Sequence, residues 1–469
     1  MKVARHNEFP DSWLSIKLGE VIDYGKTTKV EPGCIGPDAW VLELEDIEKD
    51  TSRLVQRLTF SERQSKSTKS AFSAGDVLYG KLRPYLNKVI LADSDGVCTT
   101  EIVPIRGNAA VYGRYLFHWM RHPTFISYVN EVSHGVNMPR LGTDAGKNAP
   151  FVLAPMPEQK RIADKVDTVL ARVDACRERL GLVPAILKRF RQSVIAAATS
   201  GRLTEDWRNQ RDIALDSWVA RNVAGLCETL FDGPFGSNLK SDDYTLTGVR
   251  VVRLENIGHL AFDASKATYI SEEKYNGLVK HTIYPGDLLL SSFVDEEVRV
   301  CQFPDDLSTA AINKADCFCL RVDSQQCDSR FLLLRLACKS TYTELREQVH
   351  GATRPRINLK QLKKFVIQLP SMDEQLEIAR RVDTLLAFVG RLEARLAIAR
   401  AAADSLTPAL LAKAFRGELV QQDPNDEPAA ELLKRLAEQC SGAGKPMPAK
   451  RTRAVVRSSP SEVETSIVE

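Results

Sequence analysis

The chain has no uncharged stretch near the ~18 residues that a membrane-crossing helix needs. Its first eight residues contain no apolar core of a secretory signal. Both absences predict a soluble, cytoplasmic protein with no membrane partner. Neither sign of charge dominates: 64 Lys+Arg stand against 61 Asp+Glu, a net +3. That excludes a simple polycation. DNA binding survives, because a net count averages over local patches. No Cys-x-x-Cys pair occurs among the ten cysteines. Cys317, Cys319 and Cys327 cluster, but no histidine or second cysteine pair lies nearby at zinc-ligand spacing, so no metal site is expected. Buried, reduced thiols are the expectation.

Catalytic motifs are missing too. Gly25-Lys26-Thr27 looks like the end of a phosphate-binding loop, yet position 20 is Glu where that loop needs glycine, and Gly19 is one residue out of register. Asp232-Gly233-Pro234-Phe235 lacks the first proline of the Asp/Asn-Pro-Pro-aromatic motif of amino-methyltransferases and reads as a turn. His118 and His122 stand four apart without a third ligand or a catalytic Glu. Trp119 and Met120 between them mark a packed helix face. There is no Gly-x-Ser-x-Gly elbow.

What is present is a repeat. At 469 residues the chain predicts two to four domains, and it is written twice. Residues 155–167 read PMPEQKRIADKVD, and residues 370–383 read PSMDEQLEIARRVD. Glu374 lies 216 residues after Glu158. The same offset relates His134-Gly135 to His350-Gly351 and Gly201-x-Leu203 to Gly417-x-Leu419. Gly75-Asp76 matches Gly286-Asp287 at 211, and Trp13 matches Trp218 at 205, as when loops diverge between copies.

Each copy begins with a mixed module. Val77-Leu78-Tyr79 and Asp287-Leu288-Leu289-Leu290 follow Gly-Asp turns and predict strands, and 112–131 and 329–348 predict helices. Each copy ends in a heptad-patterned helix. The first seam runs through Ile162, Val166, Val169, Val173, Cys176, Leu180, Val183, Leu187, Phe190, Val194 and Ala197. The second runs through Ile378, Val382, Leu385, Val389, Leu392, Leu396, Ala399, Ala403, Leu406 and Leu410. Two stripes so far apart in sequence pair most simply with each other. Pro184 and Pro408 predict a kink or break. The uninterrupted segment 158–183 would span ~39 Å, close to the ~34–36 Å between DNA half-sites one turn apart.

The predicted fold is α+β: two mixed α/β modules separated by two long heptad-patterned helical regions, paired as an antiparallel coiled coil in a pseudo-two-fold repeat. The boundaries are 1–155, 156–205, 206–370, 371–439 and a disordered tail, 440–469. Loop cations with a stackable ring or an amide make DNA candidates. In the first module these are Lys66, Lys69, Lys81, Arg83, Tyr85, Asn87, Lys88 and Arg140. In the second they are Ser237, Asn238, Lys240, Arg354, Arg356 and Asn358. Tail residues Lys445, Lys450, Arg451, Arg453 and Arg457 are weaker candidates.

These residues carry a family resemblance. Pro157-Glu158-Gln159 with Ile162-Ala163 and Val166-Asp167, Leu187 to Gln192, and Gly201-Arg202-Leu203-Thr204 resemble the specificity subunit of type I restriction–modification systems. So do Asp373-Glu374-Gln375, Ala414 to Leu419, Gly233-Pro234-Phe235-Gly236-Ser237, and Gly75-Asp76 with Lys81-Leu82-Arg83-Pro84. The resemblance spans about residues 10–435, and the central helix is most similar to the type IA subfamily. The first module lacks the Gly-Pro-Phe-Gly-Ser stretch of the second.

The resemblance implies two target recognition domains, each reading half of a bipartite site in double-stranded DNA. It implies an antiparallel helical spacer that docks two modification (methyltransferase) subunits, and two further restriction subunits. S-adenosylmethionine, ATP and Mg would belong to those partners, and this chain would hold no cofactor and perform no catalysis. The competing readings are a self-contained DNA methyltransferase or nuclease with degenerate motifs, and a coiled-coil scaffold.

Overall fold

The computed structural model describes residues 9–133, 138–294, 297–307, 311–349 and 355–442. Arg354, the His134-Gly135 and His350-Gly351 pairs, and the tail from residue 443 lie outside the described residues. The chain divides into two compact units, 1–179 with 399–469, and 180–398. Both divisions fall inside long helices: a central one, Met156–Thr199, and a distal one, Met372–Ala414.

In the first unit a buried apolar run follows the turn at Gly75, whose φ of +85° suits glycine. That run is the strand Val77–Gly80, buried at every position because both its faces are covered. It pairs antiparallel with Val89–Leu91 and Ile102–Ile105. A second sheet has the order Thr28–Val30, Lys69–Phe72, Gly96–Cys98, Trp40–Leu42, Leu58–Thr59, with one parallel pairing, Trp40–Leu42 beside Gly96–Cys98. A two-stranded ribbon, Leu14–Lys17 with Pro150–Leu153, leads into the central helix. The core gathers Trp13, Tyr79, Tyr115, Trp119, Phe151, Ile162, Val166, Leu411 and Phe415.

The second unit repeats this plan. Gly286 has φ +89° and precedes Leu288–Val294, which pairs with Val298–Gln302 and Cys317–Val322. Here Cys227–Phe231 adds a fourth strand. The other sheet again has one parallel pairing, Val249–Val252 beside Ala311–Asn313. The ribbon recurs as Val219–Asn222 with Val366–Leu369. The core includes Val194, Ile195, Leu288, Phe318, Phe331, Ile378 and Val382.

The two expected helices, 112–131 and 329–348, are each two helices. Gly113–Trp119 and Pro123–Val132 meet at His122, which is held extended before Pro123. Ser329–Ala337 and Lys339–Glu347 meet at an extended Cys338. The break foreseen at the prolines does not occur: the central helix runs 44 residues through Pro184, and the distal helix 43 through Pro408. Buried Val173, Leu187 and Val194 flank Pro184, and tertiary packing of this kind carries a helix across a proline that an isolated peptide would not tolerate. Of the seam residues, Ile162, Val166, Val173, Leu187, Ile378, Val382 and Val389 are buried, and Val169, Leu180, Leu385, Leu392 and Leu396 are half-buried. Cys176, Phe190 and Leu406, assigned to the seams, are exposed instead. The helix Ala429–Gly442 runs slightly past residue 440, where the tail was expected to begin.

The repeated Glu-Gln pair has a structural job in each unit. Glu158 accepts from Trp13 Nε1 at 2.8 Å, and Glu374 from Trp218 Nε1 at 3.0 Å. Gln159 donates to the Ala154 carbonyl and accepts from Tyr112 N. Gln375 donates to the Pro370 carbonyl and accepts from Asp328 N. Arg114 pairs with Asp167, and Arg330 with Asp383. These contacts lock each module onto its long helix. Among the described residues, no helix is long and apolar enough to cross a membrane.

Candidate nucleic-acid interface

In the first module the strand Val77–Gly80 empties into the loop 81–88. A short turn, Pro84–Leu86, sits between Arg83 (φ +51°) and Asn87 (φ +45°), two left-handed non-glycine residues. Such conformations cost about 1–3 kcal/mol each and persist only where the surroundings hold them. The result presents Arg83 and the half-exposed Tyr85 ring to solvent. Lys81 is half-buried at the base of the loop, and Lys66 is exposed on another loop.

Three candidates fall away. Lys69 is buried, with Nζ 2.5 Å from Glu43 Oε1, because its strand lies inside the sheet. Asn87 is buried beneath the loop. Lys88 donates to the Leu44 carbonyl at 2.7 Å, and burial lowers its pKa, which Asp46 and Glu45 partly oppose.

In the second module Ser237 and Asn238 lie on the exposed turn Gly236–Asn238, with Lys240 exposed just beyond. Phe235, which was not among the DNA candidates, is 56% exposed beside them. Gly233 is required by space: a Cβ there would lie 2.1 Å from the Lys314 carbonyl carbon. Burial pushes the neighbouring Asp232 carboxyl up to about 6. Arg356 is exposed. Asn358 is committed elsewhere, since its Oδ1 caps the helix Leu359–Lys364 by accepting from Gln361 N at 2.9 Å.

One arrangement recurs in both modules. Leu82 bridges Arg140, and Phe293 bridges Arg356. Arg83 N donates to the Pro139 carbonyl at 2.7 Å, and Val294 N to the Pro355 carbonyl at 3.0 Å. Arg140 then pairs with Glu101 at 3.0 Å, and Arg356 with Asp316 at 3.4 Å. The two acids were missed. The repeat offset could have found them, because Pro139-Arg140-Leu141 maps onto Pro355-Arg356-Ile357 at 216, and Glu101 maps onto Asp316 at 215.

The other motifs have local roles. Gly25-Lys26-Thr27 precedes a strand, Thr28–Val30, not the helix a phosphate loop needs. His118 Nε2 lies 2.7 Å from Asp167, and His122 stacks on Trp119. Burial lowers both histidines, His122 to about 4 with help from Arg416. Burial pushes Cys98, Cys227, Cys301 and Cys327 to about 12, out of the nucleophile range. Among the described residues, no group of three or more His, Cys, Asp or Glu is placed to hold a metal ion.

Residues 303–398 match the family described as the type I restriction modification DNA specificity domain. The EcoBI specificity subunit of Escherichia coli is 30% identical over 74% of this chain and 76% of its own. The EcoDI specificity subunit, also from Escherichia coli, is 27% identical over 93% of this chain and 98% of its own. A structure solved for complex assembly and conformational transition of the type I R-M system shares the fold, with a TM-score of 0.69 and 22% identity over 87% of this chain and 99% of that one. The chain therefore belongs to the type I restriction enzyme specificity subunits.

Proposed function

We propose that this chain chooses the DNA sequence on which a type I complex acts, one module reading each half of a bipartite duplex site. Residues 1–155 and 206–370 are the two target recognition domains; 156–205 and 371–439 are the helical spacer. The observation that carries the reading is the recurrence, in both modules, of an exposed arginine pinned beside the end of a central strand and paired with an acid. Arginine forks and aromatic faces on loops are what duplex recognition requires. The matched frame with unmatched loops suits two different half-sequences.

The two long helices pair antiparallel in this reading, as the spacer of a pseudo-two-fold molecule. Two contacts support it. Arg177 donates to Thr407 Oγ1 at 3.1 Å, and Arg191 pairs with Glu393 at 2.7 Å. Position 393 lies 216 residues after 177, and 407 lies 216 after 191, so each contact is the image of the other under the repeat. Numbers rise on one helix as they fall on its partner. The exposed faces of these helices dock two modification subunits, which carry S-adenosylmethionine. Two restriction subunits complete a cytoplasmic complex, supplying ATP- and Mg-dependent chemistry.

This chain is then non-catalytic. Incubated alone with duplex DNA and labelled S-adenosylmethionine, it transfers no methyl group; adding the modification subunit gives methylation at one bipartite sequence. Methyl transfer by the chain alone contradicts the reading.

A further inference from the structure

The recurring arginines carry more than a place on the surface. Besides the bridges described above, Leu141 N donates to the Lys81 carbonyl, and Ile357 N to the Ser292 carbonyl, both at 2.9 Å. Each arginine backbone is thus held on both sides. The guanidinium is held as well. Arg140 gives Nε to Glu101 Oε2, which leaves its two terminal amino groups as a free fork. Arg356 gives Nη1 to both oxygens of Asp316, which leaves the edge formed by Nε and Nη2. The Phe293 ring lies 5.4 Å beneath that guanidinium, and Ser292 Oγ fixes Asp316 at 2.9 Å. Both arginine side chains are about half exposed. Among the described residues, nothing else bonds to either free edge.

We infer that Arg140 and Arg356 are matched base-reading forks, one per module, each aimed at the O6/N7 edge of a guanine by its acid. The inference rests on the DNA-recognition reading and deepens it. A bidentate fork fits that edge. Phosphate would accept the same fork, but a carboxylate within 3.0–3.4 Å of the arginine repels a phosphate and tolerates a neutral base. Glu101 and Asp316 are therefore positioning residues that also filter against backbone contact.

The test uses the full chain assembled with its modification subunits. A random duplex pool is enriched on the wild-type complex, and the enriched sequence becomes the probe. Arg140→Ala should weaken binding to that duplex between about 5-fold and 150-fold, the span of one bidentate base contact. It should relax preference at guanine positions of one half-site only. Affinity for an unrelated duplex, and the slope of log K against log salt, should not change. Arg356→Ala should do the same at the other half-site. Glu101→Gln keeps the arginine, and should narrow the ratio of specific to non-specific affinity by raising the non-specific term. The inference is overturned if Arg140→Ala weakens both duplexes alike and lowers the salt slope by about one, the mark of a phosphate contact. Unchanged binding to the enriched duplex overturns it too. If the wild-type complex enriches no sequence, the DNA-recognition reading itself fails, and the fork falls with it.

Discussion

The two modules hold the same glutamate with different chemistry. Glu158 is buried and takes its hydrogen bonds from neutral donors, Trp13 and Gln422. Burial raises its carboxyl above the ordinary range. Glu374 is equally buried but takes its bonds from Trp218, Thr204 and the guanidinium of Arg208, itself buried. The junction geometry is common to both, while the charge state of its neighbours is not. The same division appears at the histidines. Positions 118 and 122 in the first module correspond at the 216 offset to Leu334 and Cys338 in the second. What joins module to helix is repeated; what fills the space around the joint has drifted.

The sharpest way to separate the joints is to remove the glutamates. Glu374→Ala leaves Arg208 buried without its ion-pair partner and should cost about 3–5 kcal/mol. Glu158→Ala strands only neutral donors and should cost about 1–3 kcal/mol. Urea unfolding of the two variants measures the gap, and equal losses would erase the distinction.

Acid should weaken the first joint. His122 is depressed to about 4, and His118 is also lowered, both mainly by burial. His118 faces Asp167, Arg114 and Arg121, and His122 faces Arg416. The unfolded chain takes up protons near pH 6.5 that the folded chain refuses, so stability falls as pH drops from about 6.5 to 4. His122→Phe keeps a ring on Trp119 and removes up to about 3 kcal/mol of that slope. Thermal unfolding of variant and parent across this range checks it; a difference independent of pH would contradict the assignment. His281 in the second module is also lowered by burial, so the second unit has an acid response of the same sign.

The smallest effect belongs to Asp232, whose carboxyl burial raises to about 6. Here the folded state binds the proton more tightly, so stability is lost as pH rises from about 4 to 6. Asp232→Asn keeps the acceptor for Gly233 N and should stabilise the protein by about 1 kcal/mol at pH 7, after allowance for solvent screening. The gain should vanish below pH 4. A gain that persists in acid would point to packing instead.

Much of the frame could be read from the residues. The heptad seams, the Gly-Asp turns before strands, and the repeat of Glu158-Gln159 in Glu374-Gln375 all depend on local periodicity or on residues that must recur. The failures have physical causes. Lys69 sits on a strand, and its burial depends on Glu43, 26 residues earlier, which composition does not reveal. Asn358 was weighed as a base reader, although an asparagine before a helix is first a cap. Pro184 reads as a break by intrinsic propensity, and tertiary packing overrides it. Glu101 and Asp316 were missed because each meets its arginine only through the fold, across 39 and 40 residues of sequence.

The most direct test of the account is a module exchange read at base resolution. Residues 206–370 are replaced by the corresponding segment of the EcoDI specificity subunit, and DNA methylation is mapped in cells that carry the modification subunit. The account predicts that one half of the methylated sequence changes and the other stays. A change in both halves, or in neither, would contradict it.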